Sequence, residues 1–359
     1  MRRAASAHLR LEALLHNTQV VRRHAPASGL LAVIKAEGYG HGMLRVAEVL
    51  ATAVDAFAVS HIEEAEVLRA AGHDKPIVVL HGCQTREHWQ QAFALGLSPV
   101  IHHLSQLETL ESLPMRARLP LWVKMDSGMT RLGFAPQEIA AVCERLNASG
   151  RCAEAPVVMS HFACADEPQR PENAQQLQRF MDATAPLPVS LSMANSGALL
   201  TQPETHLNWV RPGIMLYGAS PLRAQSGAEW DLKPVMTLKA PIISIEDREQ
   251  GAAVGYGSIT TLHRPSRIAV VAIGYADGYP RHAPPGTPVL LHGQRLPLMG
   301  RVSMDLICVD VTDVPAAGLG DEVTLWGEGL PVEEIAHAAG TISYDLLCGV
   351  ADRVQIKTQ

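Results

Sequence analysis

A chain of 359 residues with 47% hydrophobic and 18% charged side chains has ample apolar content for a large core, which excludes an intrinsically disordered chain and fits one large barrel or two domains. Thirty Lys and Arg against 36 Asp and Glu leave a net charge of −6, which argues against nucleic acid or an anionic membrane as the main partner. The N-terminal MRRAASAHLRLEALLHNTQVVRRH has no apolar core of signal-peptide length and no stretch of 18 uncharged apolar residues follows, so the expectation is a cytoplasmic protein without a membrane span.

Taken in chain order, eight apolar runs of strand length succeed one another: GLLAVIK (29–35), AFAVS (56–60), PIVVLHG (76–82), SPVIHH (98–103), LPLWVKMD (119–126), PVVMSHF (156–162), PVSLSMANS (188–196) and WVRPGIMLYG (209–218). They are continuously apolar rather than alternating, as strands buried on both faces should be. Between them lie helical patterns, such as 61–72, 85–96, 136–150 and 171–185, several opening at Ser, Thr or Pro and closing at Gly. Eight such units predict an α/β fold, a (β/α)8 TIM-type barrel over 1–230. A junction at 220–234 then leads into VMTLKAPIISI, RIAVVAIGY, TPVLLHG, RVSMDLICVDVTD and DEVTLWGEG, which predict a mainly β C-terminal domain over 231–359 with one short helix at 331–340. There is no strong internal repeat. The six cysteines are scattered without a C-x-x-C pair, so the expectation is reduced thiols, no disulfide framework and no metal site.

A barrel of this kind carries its active site at the C-terminal ends of the strands. The run ends here hold Lys35, Ser60, His81, His102, Lys124 with Asp126, His161, Asn195 with Ser196, and Arg211. Surface polarity accounts for part of that set but not for its bias toward Lys, His and Arg. Lys35 precedes three glycines within five residues in VIKAEGYGHG. A lysine beside low-dielectric walls loses proton affinity and becomes a nucleophile able to form a Schiff base with a carbonyl substrate or with pyridoxal phosphate; the bland reading is a side chain snorkelling to solvent. ANSGAL (194–199) and VRPGIMLYG (210–218) follow the seventh and eighth runs, where barrels bind phosphate. Ser196 offers a hydroxyl there, and Gly197, Gly213 and Ile214 offer backbone N–H groups. Lysine at the first strand and phosphate at the last two make a pyridoxal phosphate site.

Seven blocks in order, VIKAEGYGHG, KMDSGMTRLGF, SHFACAD, VRPGIMLYG, VGYGS, GYADGYPR and GRVSMD, make the chain resemble the alanine racemase family over nearly its whole length. One departure is Glu37-Gly38, where many relatives read Asn-Ala, in the loop flanking the lysine. The resemblance implies pyridoxal 5'-phosphate as cofactor, alanine as substrate and a homodimer with shared active sites. Lys35 would carry the cofactor and act as one base, and Tyr256 of the other subunit would be the opposing base. Tyr39, Ser196, Gly213, Ile214 and Tyr344 would hold the phosphate, with Asn195 beside them among the cofactor contacts. His161 would hydrogen-bond Arg211, which would face the pyridine nitrogen. Arg131 and the backbone N–H of Met304 would receive the substrate carboxylate. Asp166, Tyr275, Arg281, Arg301 and Asp305 resemble the residues lining the family's substrate entrance, and Lys124 matches a lysine often carbamylated in relatives.

These roles fit together physically. Racemization removes a proton from one face of the α-carbon and returns one to the other, so two bases are natural. Taken singly, each residue has a bland rival: a turn tyrosine, a strand-end ion pair, a structural histidine. The functional alternatives are an amino-acid racemase of broader specificity, whose periplasmic relatives carry signal peptides and often a disulfide, and a non-catalytic pyridoxal phosphate carrier built on a lone barrel, which would lack both the β domain and Tyr256.

Overall fold

The computed structural model describes residues 5–114 and 117–358. Its first strand, β1 (Ser6–Leu9), precedes a helix over Glu12–His24. Eight strands then form a closed parallel barrel: β2 (Gly29–Val33), β3 (Ala56–Val59), β4 (Ile77–Val79), β5 (Ser98–Ile101), β6 (Trp122–Lys124), β7 (Val157–Met159), β8 (Ser190–Asn195) and β9 (Trp209–Arg211). The ring closes where Gly29 and Leu30 pair with Trp209 and Val210. Every strand falls inside one of the eight apolar runs, and β3, β4 and β5 are buried along their whole length, as barrel strands walled on both sides must be. Helices at Ile62–Ala70, Arg86–Leu95, Ile139–Ala148 and Pro171–Thr184 occupy the predicted intervals. Phe57, Trp89 and Phe180 are fully buried among the barrel strands and the helices around them.

The C-terminal part is mainly β. Its eight-stranded sheet runs in the order Ser266–Val271, Ile307–Asp310, Gln294–Met299, Pro288–Leu291, Glu322–Trp326, Met236–Arg248, β1 and Gln355–Thr358. The long strand Met236–Arg248 also pairs with Ser266–Val271, which closes six of these strands into a ring. The N-terminal strand therefore belongs by pairing to the C-terminal sheet: Ser6–Leu9 lies antiparallel to Met236–Lys239 and parallel to Gln355–Thr358. SAHL is too short and too polar to be read as a strand from sequence; its place comes from the sheet, which buries Ala7 and Leu9 completely. Among the described residues no helix is long and apolar enough to cross a membrane, and all six cysteines are unpaired.

Two polar side chains, the buried Asn17 and the partly buried Glu333, stitch the parts together. Asn17, on the first helix, donates to Leu216 O and Lys233 O at 2.9 Å each and accepts from Lys233 N–H at 2.8 Å. It joins the first helix, the turn after the last barrel strand and the junction segment. Glu333, on the helix Val332–Ala338, accepts the N–H groups of Ser220 and Gly227 at 2.7 and 2.8 Å and so clasps the other end of that junction; burial pushes its carboxyl above the usual range. Truncating Asn17 leaves three backbone groups short of a partner, each costing about 1–3 kcal/mol when buried. Asn17→Ala is expected to lose about 3 kcal/mol, read as a fall of about 5–10 °C in the thermal midpoint.

Candidate active site

At the C-terminal mouth of the barrel lies a cavity of about 460 Å³. Lys124, Asn195 and Arg211 are the last residues of β6, β8 and β9; Lys35 and His161 lie two residues beyond β2 and β7. All five line it, together with Tyr39, Arg131, Ser196, Gly213, Ile214 and Tyr344. Four of these residues are Lys or Arg, and no Asp or Glu lines the cavity among the described residues.

Lys35 stands at the start of an unusual stretch of backbone. Ala36, Glu37, Gly38 and Tyr39 have φ of 52–58° and ψ of 42–56°, one turn of left-handed helix. Only Gly38 adopts it freely; the other three cost together roughly 3–6 kcal/mol. The Gly at the departure from the family pattern thus removes one strained position, and its buried Cα faces Val46, whose Cγ2 a Cβ would meet at 3.0 Å. The turn is held by Gly38 N–H to Ile34 O at 2.9 Å and by Gly42 N–H to Glu37 O at 2.8 Å. It swings Tyr39 into the cavity, where its ring stacks on Tyr217 at 4.6 Å and lies 5.9 Å from Tyr344. Burial, and after it the charge of Arg131, pushes the Lys35 ammonium below its ordinary value, while Glu64 and Cys348 act the other way.

Arg211 is buried and held on three sides. It donates to Ser192 Oγ at 2.6 Å, to the carbonyls of Ser160 and Met193 at 2.5 and 3.2 Å, and to His161 Nδ1 at 3.3 Å. A guanidinium can only donate, so His161 Nδ1 is the acceptor and its proton sits on Nε2. Burial, then the charges of Arg211, Lys124, Arg131 and Lys35, push His161 well below the usual imidazole range and keep the ring neutral. Burial also lowers Arg211 to about 10, which leaves it charged at neutral pH. Arg131 reaches the cavity from the loop after β6. Asp126 Oδ1 organises that loop by accepting the N–H groups of Gly128, Met129 and Thr130 at 2.8–3.1 Å. Burial opposes the charge on Asp126, but these amides outweigh it and hold the carboxyl low.

The cavity fits a phosphorylated aldehyde cofactor. Gly213 N–H donates to Ser196 Oγ at 2.9 Å, and a Cβ on Gly213 would come within 2.3 Å of the Tyr39 hydroxyl. A side chain there would fill the space in which backbone N–H, serine and tyrosine hydroxyls converge, a donor set suited to an anion. Lys35 supplies the amine for the aldehyde.

The remaining sequence-derived candidates lie elsewhere. Asp166 lines a neighbouring cavity of about 920 Å³ that shares His161, Asn195 and Tyr344 with the first. Tyr256 is 68% exposed and Met304 54% exposed, both on the C-terminal domain, and neither lines the Lys35 cavity. They share one surface with Tyr275, Arg281, Arg301 and Asp305: Gly255 and Gly257 abut Arg301, Tyr275 N–H donates to Ser303 O at 3.0 Å, and Arg281 lies 5.9 Å above the Tyr275 ring. Asp305 is bound by Arg353 at 2.5 Å. Ser160 and Ser192, which fix Arg211, were not singled out by sequence reading. Ser160 adjoins His161 in MSHF, but a serine at a strand end carries no spacing that marks it.

Comparison with known proteins adds an independent line. The model for the alanine racemase N-terminal domain matches residues 9–221 and that for the C-terminal domain matches residues 235–358. The chain is 55% identical over 358 residues to the alanine racemase of Thioalkalivibrio sulfidiphilus (strain HL-EbGR7), covering 99% of both proteins. It is similar to the crystal structure of the biosynthetic alanine racemase from Pseudomonas aeruginosa, with TM-score 0.96, 44% identity and 99% of each chain covered. It is also similar to the alanine racemase from Bartonella henselae with covalently bound pyridoxal phosphate, with TM-score 0.89, 29% identity and 99% of each chain covered.

Lys124 is the cavity residue whose proton equilibrium is brought nearest to neutral pH. Burial, then the charges of Arg211 and Arg131, bring its amine down to about 7. The neutral amine above that pH is a nucleophile, and the surrounding cations favour an anionic adduct. In ¹³C-bicarbonate at alkaline pH, Lys124 is expected to form a carbamate visible as one ¹³C NMR signal. The signal should fade as pH falls below about 7, where the amine protonates, and be absent from Lys124→Gln; an undiminished signal in that variant would place the adduct on another amine.

Proposed function

This chain belongs to the alanine racemase family, and from that premise we propose that it interconverts L-alanine and D-alanine with pyridoxal 5'-phosphate as cofactor and with Lys35 and Tyr256 as its two proton-moving groups. The observation that carries the reading is the cavity: an amine at the first barrel strand, three further Lys or Arg side chains without a carboxylate on the described wall, and an anion cradle at the last two strands. The division of labour is a barrel within 1–230 that binds the cofactor and a domain over 231–359, whose sheet also takes in β1, that supplies the second base.

When bound, pyridoxal phosphate withdraws electrons from the amino acid and makes its α-proton removable. Lys35 is the residue that would hold it covalently; Tyr39, Ser196, Tyr344 and the N–H groups of Gly213 and Ile214 are those that would hold its phosphate, with Asn195 alongside. Arg211 is the residue that would face the ring nitrogen. Even at about 10 the guanidinium keeps its proton near neutrality, so it gives a hydrogen bond and no proton. That moderates the electron withdrawal and disfavours transamination. His161, neutral and accepting from Arg211, keeps the guanidinium oriented.

Arg131 and the Met304 N–H would pin the substrate carboxylate. With that end fixed, Lys35 Nζ reaches one face of the α-carbon and Tyr256 Oη the other. Tyr256 does not line the cavity of its own chain, which favours a head-to-tail homodimer whose sites combine the barrel of one subunit with the C-terminal surface of the other. The exposed apolar side chains on that surface, Tyr256, Ile259, Tyr275, Met304 and Leu306, suit burial against a partner. Asp166, Tyr275, Arg281, Arg301 and Asp305 would line the entrance. A lone-barrel carrier leaves residues 235–358 without a role. Six unpaired thiols match a cytoplasmic setting, where D-alanine would serve peptidoglycan synthesis or L-alanine breakdown.

The activity test is incubation with L-alanine and chiral chromatography of the product, with serine, lysine and arginine in parallel to detect broader specificity. Lys35→Ala and Tyr256→Ala should each lose at least 100-fold in rate, the usual scale for removing an acid–base group. Mixed after subunit exchange, the two variants should regain activity, because one of the two sites in a heterodimer has both groups. No recovery with exchange confirmed would mean that each site is built within one chain.

Tyr256→Phe separates the two faces. In D₂O, proton NMR should show α-proton exchange persisting mainly from D-alanine, through Lys35, and falling steeply from L-alanine. Equal exchange from both enantiomers at the unmodified rate would reduce Tyr256 to a turn residue.

A further inference from the structure

Glu64 lies on the helix Ile62–Ala70 that follows β3, outside the cavity wall, yet its carboxylate reaches the backbone beside Lys35. Oε2 accepts the N–H groups of Ser60 at 2.7 Å and His61 at 3.1 Å, which satisfies donors at the helix start. Oε1 accepts the N–H of Ala36 at 2.8 Å. One half-buried carboxylate therefore spans the ends of two neighbouring barrel strands. An ordinary helix cap explains the first two bonds. It does not explain the third, which leaves the helix and holds the residue immediately after Lys35.

That third bond falls where the chain leaves ordinary backbone geometry. Ala36 is the first of the four left-handed residues, with Lys35 on one side of the turn and Tyr39 at its end. The direction of the Lys35 side chain follows from the peptide that Glu64 grips. Glu64 is also the carboxylate that opposes Arg131 in setting the charge environment of Lys35, with Cys348 adding to it. We propose that Glu64 is a positioning residue for the racemization: by accepting the Ala36 N–H across the strand ends, it locks the left-handed turn and so fixes where Lys35 Nζ meets the α-carbon. The proposal rests on the reading of Lys35 as a proton-moving group.

Glu64→Gln tests it, because the amide keeps the reach but turns a donor toward one of the three N–H groups and removes the charge. Four readouts are taken on the holoenzyme: thermal midpoint, backbone hydrogen exchange of the peptide covering 34–41, the pH at which the visible band of the lysine-bound cofactor changes, and kcat and KM for both enantiomers. The expected result is a folded, cofactor-binding protein in which exchange across 34–41 is at least 10-fold faster and the band titrates at a shifted pH. The kcat should fall about 10- to 100-fold with KM within about threefold, the loss that a small misplacement of a reacting group produces. Should the Gln variant not fold, Glu64→Asp serves in its place, since it retains the charge at the helix start but retracts from Ala36. A lower thermal midpoint with exchange, band titration and kcat all unchanged would overturn the proposal and leave Glu64 a helix cap. If the unmodified protein forms no D-alanine, the functional reading fails on its own, and hydrogen exchange across 34–41 still decides whether Glu64 holds the turn.

Discussion

Like charges held together inside a low-dielectric cavity repel one another, and this barrel places Lys35, Lys124, Arg131 and Arg211 around a single space. The protein relieves part of that repulsion by shifting proton equilibria: Lys35 is pushed down, Lys124 to about 7, and His161 stays neutral. Arg211 cannot escape this way, and it is instead wrapped by the acceptors Ser160, Ser192 and Met193. What remains is an excess of positive charge best balanced by anions that come from outside. A phosphate and a carboxylate are such anions, so the same arrangement that strains the free site selects a phosphorylated cofactor and an amino acid.

The barrel makes such a cluster attainable. Each strand can be largely apolar because helices cover its outer face, and the polar residue that closes it, or lies within two residues of its end, faces the common mouth. Chemistry is thus gathered from positions nearly 180 residues apart, from Lys35 to Arg211, without a long loop to carry any of them. The exceptions are informative. Arg131 arrives on a loop, which Asp126 must organise with several backbone bonds, and Tyr39 arrives through a turn of the disfavoured hand. Where the strand geometry does not deliver a group, the chain uses a carboxylate or a strained backbone to do so.

That distinction explains what could be read in the sequence. The eight strands were legible because burial on both faces forces uninterrupted apolar runs, and Lys35, Lys124, His161, Asn195 and Arg211 stood out as polar residues closing those runs. The β1 strand was not, since four residues of mixed polarity owe their conformation to partners more than 200 positions away. Ser160 and Ser192 were invisible for a related reason: Ser160 holds Arg211 through its backbone carbonyl, which any residue has, and Ser192 through a hydroxyl inside β8 that carries no periodic signature. The left-handed turn left a partial trace in the glycines after Lys35, but three of its four residues are not glycine. Tyr256 could be singled out only through family motifs, because its exposed position in one chain looks like any surface tyrosine.

The pairing of β1 with strands near the other end of the chain bears on how the protein is made. Translation at about 5–20 residues per second separates Ser6 from its partner Lys239 by on the order of ten seconds to a minute. Over that interval the barrel strands can emerge and close in order, each beside the one before it, while the first strand waits with both edges bare. It is then enclosed on one side by Met236–Lys239 and, only after a further hundred residues, on the other by Gln355–Thr358. A strand synthesised before the barrel is therefore finished only after it, and a nascent chain stalled between these two events would display an open strand edge to its neighbours on the same message.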